Sequence, residues 1–274
     1  MPPPTSAGGS GATLRDGAQQ RLVELRIDST AMIEAFGWGA LAGSSLLVGG
    51  ALALRVPISE LVLGLVMAFG CGALISAVAY ELVREAFETS AGSGGVGAGL
   101  AVGSLTFFAG QWLIARRGGG ARRPSGAGPA DSAAMALILG IALDGIPESL
   151  VIGLSLLAGG GLSVAMLVAV VLSNVPEAMA ATTGLRASGW RPLRIMGLWA
   201  GATALSGVSA LAGHAFLGDA SPRTVAFVLS FAGGAIITMI ADTMMPEAHA
   251  RGGRAVGLVT TLGFGLAFAV SALE

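Results

Sequence analysis

The sequence predicts an all-α, polytopic membrane protein: eight transmembrane helices, with inverted repeats (helices 1–3 and 6–8) around a central pair, helices 4 and 5. Three observations predict it. Of the 274 residues, 54% are hydrophobic and only 11% are charged, whereas a soluble domain carries roughly 25% charged residues. Apolar runs of about 20 residues, long enough to cross a bilayer, recur along the chain. A segment of the second run also returns in the seventh with its glutamate in register.

Taken in order, residues 1–20 are Pro, Gly, Ser and Ala without periodicity and are predicted to be a disordered tail. Residues 21–34 (RLVELRIDSTAMIE) are amphipathic and predict a short interfacial helix leading into the membrane. The transmembrane domain covers 35–274, with spans at 35–54, 60–83, 95–114, 132–158, 162–186, 194–217, 223–246 and 255–273. The sizeable internal loop, 115–131 (ARRGGGARRPSGAGPAD), is rich in Gly, Pro and arginine. No short apolar core stands near the start, so no cleavable signal peptide is predicted.

All 15 basic residues are arginines. Arg55, Arg116, Arg117, Arg122, Arg123, Arg186, Arg191, Arg194, Arg251 and Arg254 fall in loops on one face. Arg15, Arg21, Arg26, Arg84 and Arg223 fall on the other, three of them in the tail. The positive-inside rule puts the first face in the cytoplasm and both termini outside, in a multi-pass protein of the cytoplasmic (inner) membrane. No basic stripe with interleaved aromatics speaks for a nucleic-acid partner. The lone Cys71 excludes an internal disulfide and reads as a small core residue.

The repeat is local. Phe69 to Ile75 (FGCGALI) matches Phe231 to Ile237 (FAGGAII), and the same offset pairs Ala79 with Ala241, Glu85 with Glu247 and Ala86 with Ala248. Trp38 in helix 1 echoes Trp199 in helix 6. Repeats that start five helices apart run in opposite directions through a bilayer, an arrangement typical of transporters with a site near the midplane. Glycines such as Gly39, Gly43, Gly49 and Gly50 read as close-packing faces, which also permit a homodimer.

The chemistry concentrates in the central pair. Asp144 and Glu148 share a face of helix 4 around Pro147. Asn174 and Glu177 do so on helix 5 around Pro176, with Ser173 adjacent. Each proline removes a helical hydrogen bond and loosens a carbonyl. Three carboxylates in one dry pocket require a cation or protons, and carboxylate, amide and carbonyl oxygens are ordinary ligands for divalent metals. Asp242 lies inside helix 7, while Glu247 and His249 near its end are candidates for an auxiliary or exit-side role. Glu81, Glu85 and Glu88 close helix 2 on the outer side, either gathering cations or simply solvated, and His214 reads as an interfacial histidine.

With D-G-I-P-E-S at 144–149, S-N-V-P-E-A at 173–178 and M-P-E-A-H at 245–249, the chain resembles the ZIP (Zrt/Irt-like) divalent metal transporters, most of all the bacterial GufA-like branch. The resemblance covers about residues 35–274. It implies eight helices, outer termini, a metal path through helices 4 and 5, and an elevator-like carrier moving zinc or a related cation into the cytoplasm. The family usually has His-Asn where Asp144 and Gly145 stand, His or Gln at Ser173, and His-Glu at Ala241-Asp242. Oxygen in place of imidazole shifts preference from zinc toward manganese or ferrous iron, with cobalt and cadmium also within range.

The expected function is therefore divalent cation transport by alternating access, without enzymatic activity or an organic cofactor. Asp144, Glu148, Ser173, Asn174, Glu177 and Asp242 are the expected metal ligands. One alternative is a non-transporting, sensor-like relative with a degraded site. Another is an intramembrane aspartyl protease using Asp144 and Asp242, although neither stands in the Gly-x-Gly-Asp setting usual for such enzymes.

Overall fold

The computed structural model describes residues 10–90, 95–116, 130–157, 162–218 and 220–273, with side chains described from residue 29 and, after the internal loop, from residue 139. Every regular element among them is helical. Six helical stretches are long and apolar enough to cross a membrane: Ser29–Arg55, Glu60–Thr89, Gly95–Ile114, Val164–Ala187, Pro192–Leu217 and Pro222–Ser271. The chain is a multi-pass membrane protein.

The rods are named here in chain order. α1 is Ser10–Arg55. α2 is residues 60–89, whose α-helix Glu60–Ala77 passes through a π-helical segment, Val78–Val83, into Arg84–Thr89. α3 is Gly95–Ile114, α4 Ala130–Ser155, α5 Val164–Ala187 and α6 Pro192–Leu217. α7 is residues 222–252, with a second π-helical segment, Ile240–Met244, between Pro222–Met239 and Met245–Gly252. α8 is Val256–Ser271. Fifty helical residues from Pro222 would measure about 75 Å if straight, well over twice the hydrocarbon thickness. Gly253, with φ of 60°, breaks that run between α7 and α8.

The boundaries depart from expectation in two places. α1 runs unbroken from Ser10, through the stretch predicted as tail and separate interfacial helix. Between Arg21 and Glu34 no proline or glycine interrupts it, and Leu, Glu, Arg and Ala favour helix. Residues 1–9 lie outside the described residues. α2 and α7 each extend about two turns beyond the predicted span ends, so that Glu85, Glu88, Glu247 and His249 lie on helix, as expected of residues closing these helices. Most of the 115–131 loop also lies outside the described residues.

The rods form two bundles. α1, α4, α5 and α6 pack on one another, as do α2, α3, α7 and α8, and the two groups meet chiefly where α2 lies against α5. Hydrogen bonds knit the first bundle. Trp199 Nε1 donates to Thr182 Oγ1 at 2.9 Å and Thr203 Oγ1 to Gly43 O at 3.0 Å. In the second, Ser104 Oγ donates to Gly234 O at 3.1 Å, and Tyr80 stacks against Phe268 with ring centroids 4.9 Å apart.

Within the second bundle the contacts come in matching sets. A Cβ on Gly72 would stand 1.9 Å from Thr260 O, and one on Gly263 would stand 2.0 Å from Phe69 O, so α2 and α8 touch backbone to backbone. On α7 and α3, a Cβ on Gly234 would stand 2.1 Å from Leu100 O, and one on Gly103 would stand 1.9 Å from Phe231 O. Phe69 and Gly72 correspond to Phe231 and Gly234 at the offset seen in the sequence, and so do Val78 and Ile240, the first residues of the two π-helical segments. Lipid offers no hydrophobic drive between helices, so such approach, gaining van der Waals contact and Cα–H···O interactions, is what holds them.

Candidate cation site

Pro147 and Pro176 sit inside α4 and α5, where each removes the bond to a carbonyl four residues earlier, Leu143 and Leu172. Helix survives on both sides because the bundle packs around it. Leu172 O faces α2 at Gly70, where a Cβ would stand 2.8 Å away. The loosened carbonyl therefore lies at the seam between the bundles.

Around these breaks the polar residues are buried. Asp144 is 5% exposed, Glu148 3%, Ser149 2%, Ser173 1% and Asn174 7%. Glu177 is half-buried. Glu148 feels the charge of Glu177 first and of Asp144 second, so the three carboxylates share one electrostatic neighbourhood. Cys71 of α2, in the second bundle, is buried within electrostatic range of Glu177. Asn174 Nδ2 donates to Ala42 O on α1 at 3.4 Å, which leaves the amide oxygen as its ligating atom. Ser173 Oγ donates to Val170 O at 2.9 Å.

Of the six predicted ligands, Asp144, Glu148 and Glu177 share an electrostatic neighbourhood, while Ser173 and Asn174 are buried on α5 a turn before Glu177. Among the described residues, no three His, Cys, Asp or Glu side chains are grouped tightly enough to hold one metal ion.

Asp242 is placed elsewhere. It is exposed on the π-helical segment of α7, in the second bundle. Glu247 accepts a bond from Arg251 Nη2 at 2.7 Å, and the same guanidinium bonds Glu60 at the start of α2. His249 is exposed. His214 is buried against its neighbours in the last turn of α6.

One feature has no counterpart in the sequence pattern. A cavity of about 770 Å³ opens between the bundles where α2 ends and α5 and α7 begin. Tyr80, Glu81, Glu85, Ser155 and Ser163 line it, and Val151 belongs to its wall, one helical turn from Glu148. Ser163 caps α5, accepting from Met166 N at 3.0 Å, and donates to Glu81 Oε2 at 2.9 Å. Glu81 also accepts from Ser271 of α8, so one carboxylate ties both bundles at the cavity wall. Glu81 and Glu85 could be suspected from the chain, but Ser155 and Ser163 could not. No family model and no curated protein matches the chain.

Proposed function

We propose that the chain is a carrier of divalent cations, similar to the ZIP transporters, that moves ions into the cytoplasm by alternating access. The observation that carries this reading is Glu148. It is buried, proline-flanked and accompanied by Glu177 and Asp144, one turn from a cavity open to one face. Ionisable groups this deep in a membrane protein mark ion pathways, and three of them together call for a cation.

On this reading all eight rods cross the membrane, α4 included and α7 and α8 as separate crossings. The termini lie outside and the arginine-rich loops face the cytoplasm. The paired π-helical segments, at the offset that relates α2 to α7, and the reciprocal glycine contacts of α2 with α8 and α7 with α3 support an inverted repeat of α1–α3 and α6–α8. The donor set is oxygen-rich, so manganese or ferrous iron suits it as well as zinc. No organic cofactor and no catalytic role is assigned.

The test is uptake by the purified protein in liposomes, run over Zn, Mn, Fe, Co and Cd. Wild type takes up at least one of them, and Glu148→Ala and Glu177→Ala do not while remaining folded in detergent. Uptake undiminished in both variants overturns the proposal. The lack of a tight ligand cluster among the described residues also favours a second reading, a non-transporting, sensor-like relative with a degraded site. Metal binding by the purified protein without flux would establish that one. A protease dyad is not favoured, since Asp144 is buried in one bundle and Asp242 exposed on the other.

A further inference from the structure

At the arginine-rich face the two bundles end differently. In the second bundle Arg251 is neutralised within the chain, by Glu60 and Glu247. In the first, Arg55, Arg186 and Arg191 are exposed and meet no carboxylate among the described residues. Neither 35–55 nor 178–217, the stretches that carry α1, α5 and α6 to that face, holds an Asp or Glu.

Packing brings these arginines together. Leu54, Leu185 and Trp190, each the chain neighbour of one of them, belong to one apolar cluster with Ile195 and Trp199. The turn from α5 to α6 is fixed by its backbone. Gly189, at φ of 83°, donates its N–H to Arg186 O, and the Trp190 N–H donates to Leu185 O, both at 3.0 Å. Arg194 lies over the Trp190 ring at 3.9 Å, a further cation held against the indole face. Between Arg191 and Arg194, Leu193 is 85% exposed, an apolar side chain at the end of a spanning helix.

We propose that this turn and the end of α1 hold the headgroup phosphate of an anionic phospholipid in the adjacent leaflet. Guanidinium groups match phosphate oxygens in charge and in the spacing of their paired N–H donors. Basic residues beside membrane helices draw anionic headgroups. A lipid fits better than free phosphate because Trp190 and Leu193 stand among the arginines, and such side chains favour the headgroup and acyl levels of a bilayer. The site is independent of ion movement and asks nothing of Glu148.

The experiment titrates the purified full chain in detergent with phosphatidylglycerol or phosphatidylcholine and counts bound lipid by native mass spectrometry. Wild type should prefer phosphatidylglycerol. Arg186→Gln combined with Arg191→Gln should weaken that binding about 25-fold, about fivefold for each arginine lost at a membrane surface. Arg223→Gln combined with Arg254→Gln removes two exposed arginines elsewhere and should leave it unchanged. Should the first pair not fold, Arg55→Gln takes its place, with a loss of about fivefold. Equal weakening by both pairs would mean attraction to overall charge and overturn the site, as would equal binding of the two lipids. Inorganic phosphate displacing phosphatidylglycerol at equal concentration would overturn the lipid as its occupant.

Discussion

Three Pro-Glu pairs sit in helices of this chain, and their surroundings divide them. At Pro147-Glu148 and Pro176-Glu177 the glutamates lie within range of each other and of Asp144, beside carbonyls loosened by the prolines. At Pro246-Glu247 the glutamate has a cation of its own, Arg251, which it meets at 2.7 Å and shares with Glu60. The dipeptide is the same. What differs is the neighbouring charge that the structure shows, carboxylates at the first two and a guanidinium at the third; on the proposed reading the first two receive the cation and the third does not.

The largest expected effect breaks this comparison directly. Glu148→Gln removes the charge at constant size and should reduce cation uptake to background, whereas Glu247→Gln should leave most of it. Uptake assays on the two variants side by side check this, and equal loss in both would erase the distinction.

Next come the backbone contacts that hold the second bundle. Gly72→Val and Gly234→Val each drive a side chain into a carbonyl about 2 Å away. Overpacking of this kind costs about 1–3 kcal/mol, so both should lower the melting temperature in detergent by similar amounts. Gly97→Ala, with open space around it, is the matched control and should change little.

Smaller still is Ser163→Ala. It removes the bond to Glu81 that joins the bundles and should cost about 0.5–1.5 kcal/mol, seen as a modest fall in the same melt. Smallest is Arg251→Ala. Its pairs are partly exposed, with side chains 22% exposed for Arg251 and 66% for Glu60, and such pairs contribute about 1 kcal/mol or less. The difference from wild type should shrink further in high salt. A salt-independent loss would mean that Arg251 acts by packing.

The comparison also shows what was legible in the chain. Asp144, Glu148, Asn174 and Glu177 stood out because charge and amide inside hydrocarbon need a reason, and the spacing of three and four residues puts each pair on one helix face. Membrane character followed from composition alone. Which rods form which bundle did not, since most helices here are apolar nearly all round and no stripe names a partner. Asp242 lies inside the predicted seventh span, yet it is exposed in the structure. The π-helical segment at Ile240–Met244 changes which residues of α7 point inward, and hydropathy carries no mark of it. Gly and Ser near residue 10 predict coil, whereas α1 starts at Ser10, where the helix-favouring run from Arg21 is continued backward. The cavity was invisible because it lies between rods far apart in sequence.

The most direct test of the central claim is anomalous scattering from crystals soaked in manganese or zinc. The account predicts a peak between α4 and α5, within ligand distance of the Glu148 and Glu177 carboxylates. A peak confined to Glu247 and His249, with none between α4 and α5, would contradict it.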